Sequence, residues 1–177
     1  DIVAGAVIGR AGLVENIRHK LNHLGGALDP HACFLLQRGI ATLAVRMKQH
    51  NESALQLARF LSRHREVARV NYPGLESHPQ HALARELFNG YGGMLSFELH
   101  EGLAAAKRFI ARTQIPIKAP SLGSIHTLLT RPATTSHAGL TVEERLKLGI
   151  TDSLIRVSVG IESTEELLAD FDQALRP

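Results

Sequence analysis

The chain has 177 residues, 44% hydrophobic and 21% charged, a profile that excludes a disordered segment and fits one domain, or one domain with part of another. Twenty basic residues against 17 acidic leave a net charge of +3, and with no Trp and with Tyr72 and Tyr91 outside any basic cluster, no nucleic-acid-binding stripe is expected. No apolar run approaches a membrane span, and the single cysteine, Cys33, excludes an internal disulfide and points to a reducing, cytoplasmic compartment.

The opening residues 1–9 are apolar, partly β-branched and closed by Gly9, which predicts a buried strand. A helix is predicted from about Leu13 to Leu21, broken by Gly25-Gly26. Asp29-Pro30 then supplies an N-cap acceptor and a proline at the first helical position, where the missing N–H is harmless. A long helical region follows to about Arg65, with Gly39 as its expected kink and Ala54, Leu57, Ala58 and Leu61 as its apolar stripe.

Strands and helices then alternate. Strands are predicted at Val67–Tyr72, Met94–Leu99, Thr127–Thr130 and Leu154–Val159, and helices at His81–Phe88 and Ala104–Ala111. Pro73-Gly74 marks a turn, and Gly90-Tyr-Gly-Gly93 a second one. Thr141-Val-Glu-Glu144 and Ser163-Thr-Glu-Glu166 read as capping boxes, the second opening a helix with Leu167, Leu168, Phe171, Ala174 and Leu175 on one stripe. Four or so strands with helices against one face make an α+β sandwich from about residue 67, while residues 1–29 read as the tail of a different α/β unit.

Of the ten histidines, His19 and His23 stand four apart and His78 and His81 three apart, but no third ligand is placed by spacing. They read as solvated helix-face histidines, and no metal site is expected. Cys33, early in a helix, reads as a buried structural thiol. The glycines at 5, 9 and 12 match neither a dinucleotide nor a phosphate-loop fingerprint.

The last strand carries the most information. Alternation puts Ile155, Val157 and Val159 on one face and Arg156 with Ser158 on the other. A guanidinium fixed on a rigid strand suits two-pronged recognition of an amino acid's α-carboxylate. It could equally pair with a local acid such as Asp152 or Glu162, and spacing leaves both open. The loop Ala119-Pro-Ser-Leu-Gly-Ser124, followed by a Thr-rich stretch, offers hydroxyls and backbone N–H groups to an anion.

Several stretches together resemble the pyridoxal-phosphate enzymes of cysteine and methionine metabolism: Asp1-Ile-Val-Ala-Gly-Ala6, Asp29-Pro-His-Ala-Cys33, Arg38-Gly-Ile-Ala-Thr-Leu43, Tyr72-Pro-Gly-Leu-Glu76, Gly92-Gly-Met-Leu-Ser-Phe97, Ser121-Leu-Gly123 and Ile155-Arg-Val-Ser-Val-Gly-Ile-Glu162. The family embraces cystathionine γ-synthases and lyases, methionine γ-lyases and O-acylhomoserine sulfhydrylases. The resemblance implies the C-terminal part of a fold-type I enzyme: residues 1–29 ending the large cofactor domain, 30–66 a connecting helical region, and 67–177 a small α+β domain with a mostly antiparallel sheet. It implies pyridoxal 5'-phosphate in the intact enzyme, γ-replacement or γ-elimination on homoserine-derived or sulfur amino acids, and a homotetramer.

Residue by residue, Arg156 matches the family arginine that grips the substrate carboxylate, and Ser121 a residue flanking it. The cofactor lysine is expected a few residues before the position of Asp1, since Lys20, Lys48, Lys107, Lys118 and Lys147 do not match it. With Asp1 in place of Met and no leader-like segment, the chain is expected to be trimmed at its front, and no catalytic or cofactor-binding residue is expected within it. Pro120 stands where many cystathionine-handling relatives carry Glu, and His126 where Glu is frequent; neither receives a role. The contrasting expectation is a stand-alone α+β binding or assembly module without catalysis.

Overall fold

The computed structural model describes residues 2–176 and divides into two units, one ending at Ala44 and one beginning at Val45. In the first, residues 2–10 form no strand, and all but Ile2 are exposed; the expected buried strand is not formed. A β-branched run is strand-competent only if another strand takes up its N–H and C=O groups, and no described strand lies in this unit.

Helix α1 (Ala11–Leu24) stops at Gly25, whose φ of 74° lies in the left-handed region and whose N–H reaches Leu21 O at 3.0 Å. Helix α2 (Pro30–Ala41) starts on the cap expected for it: the Asp29 carboxylate accepts from the His31 and Ala32 N–H groups at 2.9 and 3.0 Å. Gly39 is not the break, because a glycine weakens a helix without ending it. The backbone leaves helical angles at Thr42 (φ −105°, ψ 3°) and resumes as α3 (Leu43–Arg63). Cys33 is exposed and not a buried thiol, because Ala32 alone among the residues of α2 is buried.

The second unit is an α+β sandwich on a five-stranded mixed sheet. Its strands are β1 (Val67–Asn71), β2 (Met94–Leu99), β3 (Ile117–Lys118), β4 (Leu128–Thr130) and β5 (Ile155–Ser158), in the order β1-β2-β5-β4-β3. All neighbours are antiparallel except β3 and β4. The two-residue β3 carries too short a pattern for alternation to reveal it. Helices α4 (His81–Leu87), α5 (Gly102–Arg112), α6 (Val142–Lys147) and α7 (Thr164–Leu175) complete the unit.

Alternation decides which face is covered. Leu95, Phe97 and Leu99 of β2 and Ile155 and Val157 of β5 point into one core with the buried stripes of α3, α5 and α7. At its centre Phe97, Phe109 and Phe171 pack with centroids 5.3 and 5.2 Å apart along the edge-to-face pairs Phe97–Phe109 and Phe109–Phe171. Each is at most 1% exposed, so truncating one costs about 3–5 kcal/mol.

Candidate functional site

The same alternation that buries Ile155 and Val157 turns Arg156 to the opposite, polar face. There the sheet register sets Asn71, Ser96, Arg156 and Thr130 side by side across four strands. Strand β5 lies between β2 and β4, so Arg156 projects from a strand paired on both edges, a rigid mount for a guanidinium. It is half-buried, and none of the ion pairs among the described residues uses it.

Both local acids are engaged elsewhere. The Asp152 carboxylate accepts from Arg145 Nη2 at 2.7 Å, and Glu162 accepts from Thr127 N–H at 2.6 Å and from the Thr127 hydroxyl at 2.8 Å. Arg156 instead donates through Nη2 to the backbone carbonyl of Ser121 at 2.8 Å. That leaves Nε, Nη1 and the second N–H of Nη2 uncommitted among the described residues, and Nη2 with either neighbour can fork onto a carboxylate.

Ser121 has a φ of 89°, the lone non-glycine among the described residues with positive φ. Such a conformation is costly for a residue with a Cβ and persists only where its surroundings over-determine it. Here the surroundings are a set of bonds between the 121–127 loop and β5 with the residues just after it. Gly123 N–H donates to Ser158 Oγ at 3.0 Å, Ile161 N–H to Ile125 O at 2.9 Å, and Gly160 N–H to Thr127 Oγ1 at 2.8 Å. Gly160 is required, because a Cβ there would collide with Glu162 Oε2, Ile125 O and Thr127 N. The loop is thus held so that the Ser121 carbonyl meets Arg156, while the exposed Ser121 hydroxyl makes no hydrogen bond among the described residues.

Chain order brings Arg156 and Ser121 into the sequence reading as separate clues; the structure joins them by a direct bond. The Thr127–Glu162 pair and the strain at Ser121 were not read from the sequence. The partners lie 35 residues apart, beyond any local pattern. Pro120 directly precedes the strained residue, and His126 N–H bonds to Ser124 Oγ at 3.2 Å within the same loop.

The other candidates scatter. His23 Nδ1 lies 2.7 Å from His19 O, and His81 Nδ1 2.8 Å from Pro73 O. No group of three or more His, Cys, Asp or Glu placed to hold a metal occurs among the described residues. Pyridoxal phosphate needs an imine-forming lysine activated by burial or a neighbouring cation, and a partner for its ring nitrogen. Lys48 and Lys147 are exposed and paired with Glu52 and Glu143. Lys107 and Lys118 border a cleft of about 460 Å³, but both are exposed and its lining holds no acid. Lys20 is exposed on α1. The residues of this chain do not by themselves fit the cofactor.

The family described as Cys/Met metabolism PLP-dependent enzyme matches residues 1–176. An L-methionine gamma-lyase of Pseudomonas putida is 46% identical over 178 residues, which cover 99% of this chain and 45% of that protein. A chloroplastic cystathionine gamma-synthase 1 of Arabidopsis thaliana is 42% identical over 175 residues, 99% of this chain and 31% of that protein. The crystal structure of cystathionine gamma synthase from Xanthomonas oryzae pv. oryzae in complex with aminoacrylate and cysteine superposes with a TM-score of 0.87 at 41% identity, covering 94% of this chain and 43% of that one. The chain spans less than half the length of these relatives. It belongs to the pyridoxal-phosphate-dependent enzyme family of cysteine and methionine metabolism.

Proposed function

We propose that the whole protein catalyses γ-replacement or γ-elimination on homoserine-derived or sulfur amino acids, in the manner of a cystathionine γ-synthase, and that this chain supplies the grip on the substrate's α-carboxylate. The carrying observation is Arg156: a guanidinium on a doubly paired strand, without a carboxylate partner among the described residues, steadied by the Ser121 carbonyl. The second N–H of Nη2 with Nε or Nη1 makes a fork that matches a carboxylate, and the Ser121 hydroxyl, unbonded among the described residues, lies on the adjoining loop.

A clamp of this kind fixes one end of an amino acid and so sets the direction of its Cα–H bond. Within this reading, residues 1–29 belong to a large cofactor domain, 30–66 connect, and 67–177 form the small domain of a homotetrameric cytoplasmic enzyme. The cofactor-holding residues lie outside this chain, which alone acts as a binding and assembly module.

The test is steady-state kinetics of the intact protein on cystathionine, methionine and O-acylhomoserines, which separates synthase, methionine γ-lyase and sulfhydrylase activities. Arg156→Ala is expected to lose about 3–5 kcal/mol of carboxylate recognition, and Arg156→Lys to recover part of it. Unchanged amino-acid affinity in Arg156→Ala would reject the clamp.

A further inference from the structure

Three arginines border one cleft elsewhere in the Val45–Pro177 unit. A cleft of about 610 Å³ runs between the C-terminal half of α3 and the segment from Gly74 to Tyr91, and it shares no residue with the clamp. Arg59 and Arg63 border it from α3 and Arg85 from α4.

Ion pairing is common in this chain: Arg18, Lys48, Arg65, Arg69, Arg108, Arg145, Lys147 and Arg176 all have acidic partners. The guanidinium groups of Arg59, Arg63 and Arg85 have no ion pair and no hydrogen bond among the described residues. Arg59 and Arg63 are also four apart on one helix, a like-charge spacing that weakens the helix unless an anion lies between them. One acid, Glu76, borders the cleft, so the positive charge is in excess.

Neutral donors complete the lining. The Ser77 hydroxyl is uncommitted among the described residues, whereas Ser62 Oγ donates to Arg59 O at 3.0 Å. Tyr91, half-buried and edge-on to Tyr72 with centroids 6.3 Å apart, forms an aromatic wall. Three guanidiniums around a hydroxyl-lined cleft suit a multiply charged oxyanion, because each can fork onto phosphate oxygens.

We propose that this cleft binds a phosphate-bearing small molecule, with Arg59, Arg63 and Arg85 as the anion contacts. The experiment is calorimetric titration of the intact protein with pyrophosphate at constant ionic strength. Saturable binding is expected, weakened about tenfold or more in the double variant Arg59→Gln/Arg63→Gln and several-fold in Arg85→Gln. Glu76→Gln should strengthen it, a change of opposite sign that misfolding cannot mimic. Lys147→Gln, which removes a cation elsewhere, should leave it unchanged. Absence of saturable binding, binding indifferent to the double variant, or capture of an acidic peptide without any response to pyrophosphate would each overturn the proposal.

Discussion

Both units of this chain carry apolar patterns, and they use them differently. In the unit beginning at Val45, alternation and helical stripes converge on one core in which Phe97, Phe109, Phe171, Leu57 and Ile155 are nearly or fully inaccessible. In the unit ending at Ala44, Val3 and Ile8 are each 96% exposed and Leu24 is 83% exposed, with Ala32 the one buried residue described there. An apolar pattern is therefore a demand for a covering surface. Whether the demand is met depends on what the topology brings opposite.

The sharpest way to break this contrast is truncation on either side of it. Phe97→Ala should lower the unfolding free energy by about 3–5 kcal/mol, whereas Leu24→Ala should change it by less than about 0.5 kcal/mol, as read from urea titration. Equal effects would mean that the first unit is packed.

A smaller effect probes how the second unit holds its loops. The buried Asp170 carboxylate accepts from Gln114 N–H at 3.0 Å, Ile115 N–H at 3.0 Å and Gln173 Nε2 at 2.8 Å. Asp170→Ala strands these donors and should cost roughly 2–3 kcal/mol, with faster hydrogen exchange at Gln114 and Ile115 as the local sign.

The core also has an alkaline limit. Burial, aided by the nearby Tyr91, pushes the Tyr72 phenol up from 10.0 to about 12. The folded state thus holds the phenol proton more tightly, and this contribution is intact below the free value of 10.0 and is lost as pH rises through about 12. Between about pH 10 and 12 the melting temperature of the native chain should fall more steeply than that of Tyr72→Phe, although the variant starts lower for want of the 2.9 Å bond to Gly92 O.

The smallest effect is at the exposed cap of α6. The Glu144 carboxylate is held below its usual range by the Thr141 backbone N–H and, secondarily, by the Thr141 hydroxyl. Its contribution is present above the unfolded value of 4.5 and fades as pH falls below it, so acid should fray α6 first while the aromatic core persists. Amide exchange at Glu144 and Arg145 across that range checks it, and Glu144→Gln should flatten the pH dependence.

Much of this was legible beforehand where the physics is local. The Asp29-Pro30 start of α2 and the Thr141–Glu144 box formed as read, because a cap involves donors and acceptors three residues apart. At Ser163 half of the expected box formed: Ser163 Oγ accepts from Glu166 N–H, while the Ser163 hydroxyl turns to Glu165. Strands β2 and β5 followed from alternation over six and four residues. Residues 1–9 misled, because β-branched content gives strand competence without a partner, and Gly39 misled because a glycine weakens a helix without ending it.

The amino-acid sequence by itself determined that Arg156 stands on a strand with its side chain opposite the core, since a period of two leaves no other choice once Ile155 and Val157 are buried. It could not decide what that guanidinium meets, because Asp152 and Glu162 were both near along the chain. Only the tertiary structure resolved this, by engaging both acids with Arg145 and Thr127 and by folding a loop 35 residues away until the Ser121 carbonyl reached Arg156. Side-chain direction is a property of a few neighbouring residues; partnership is a property of how distant segments close on one another.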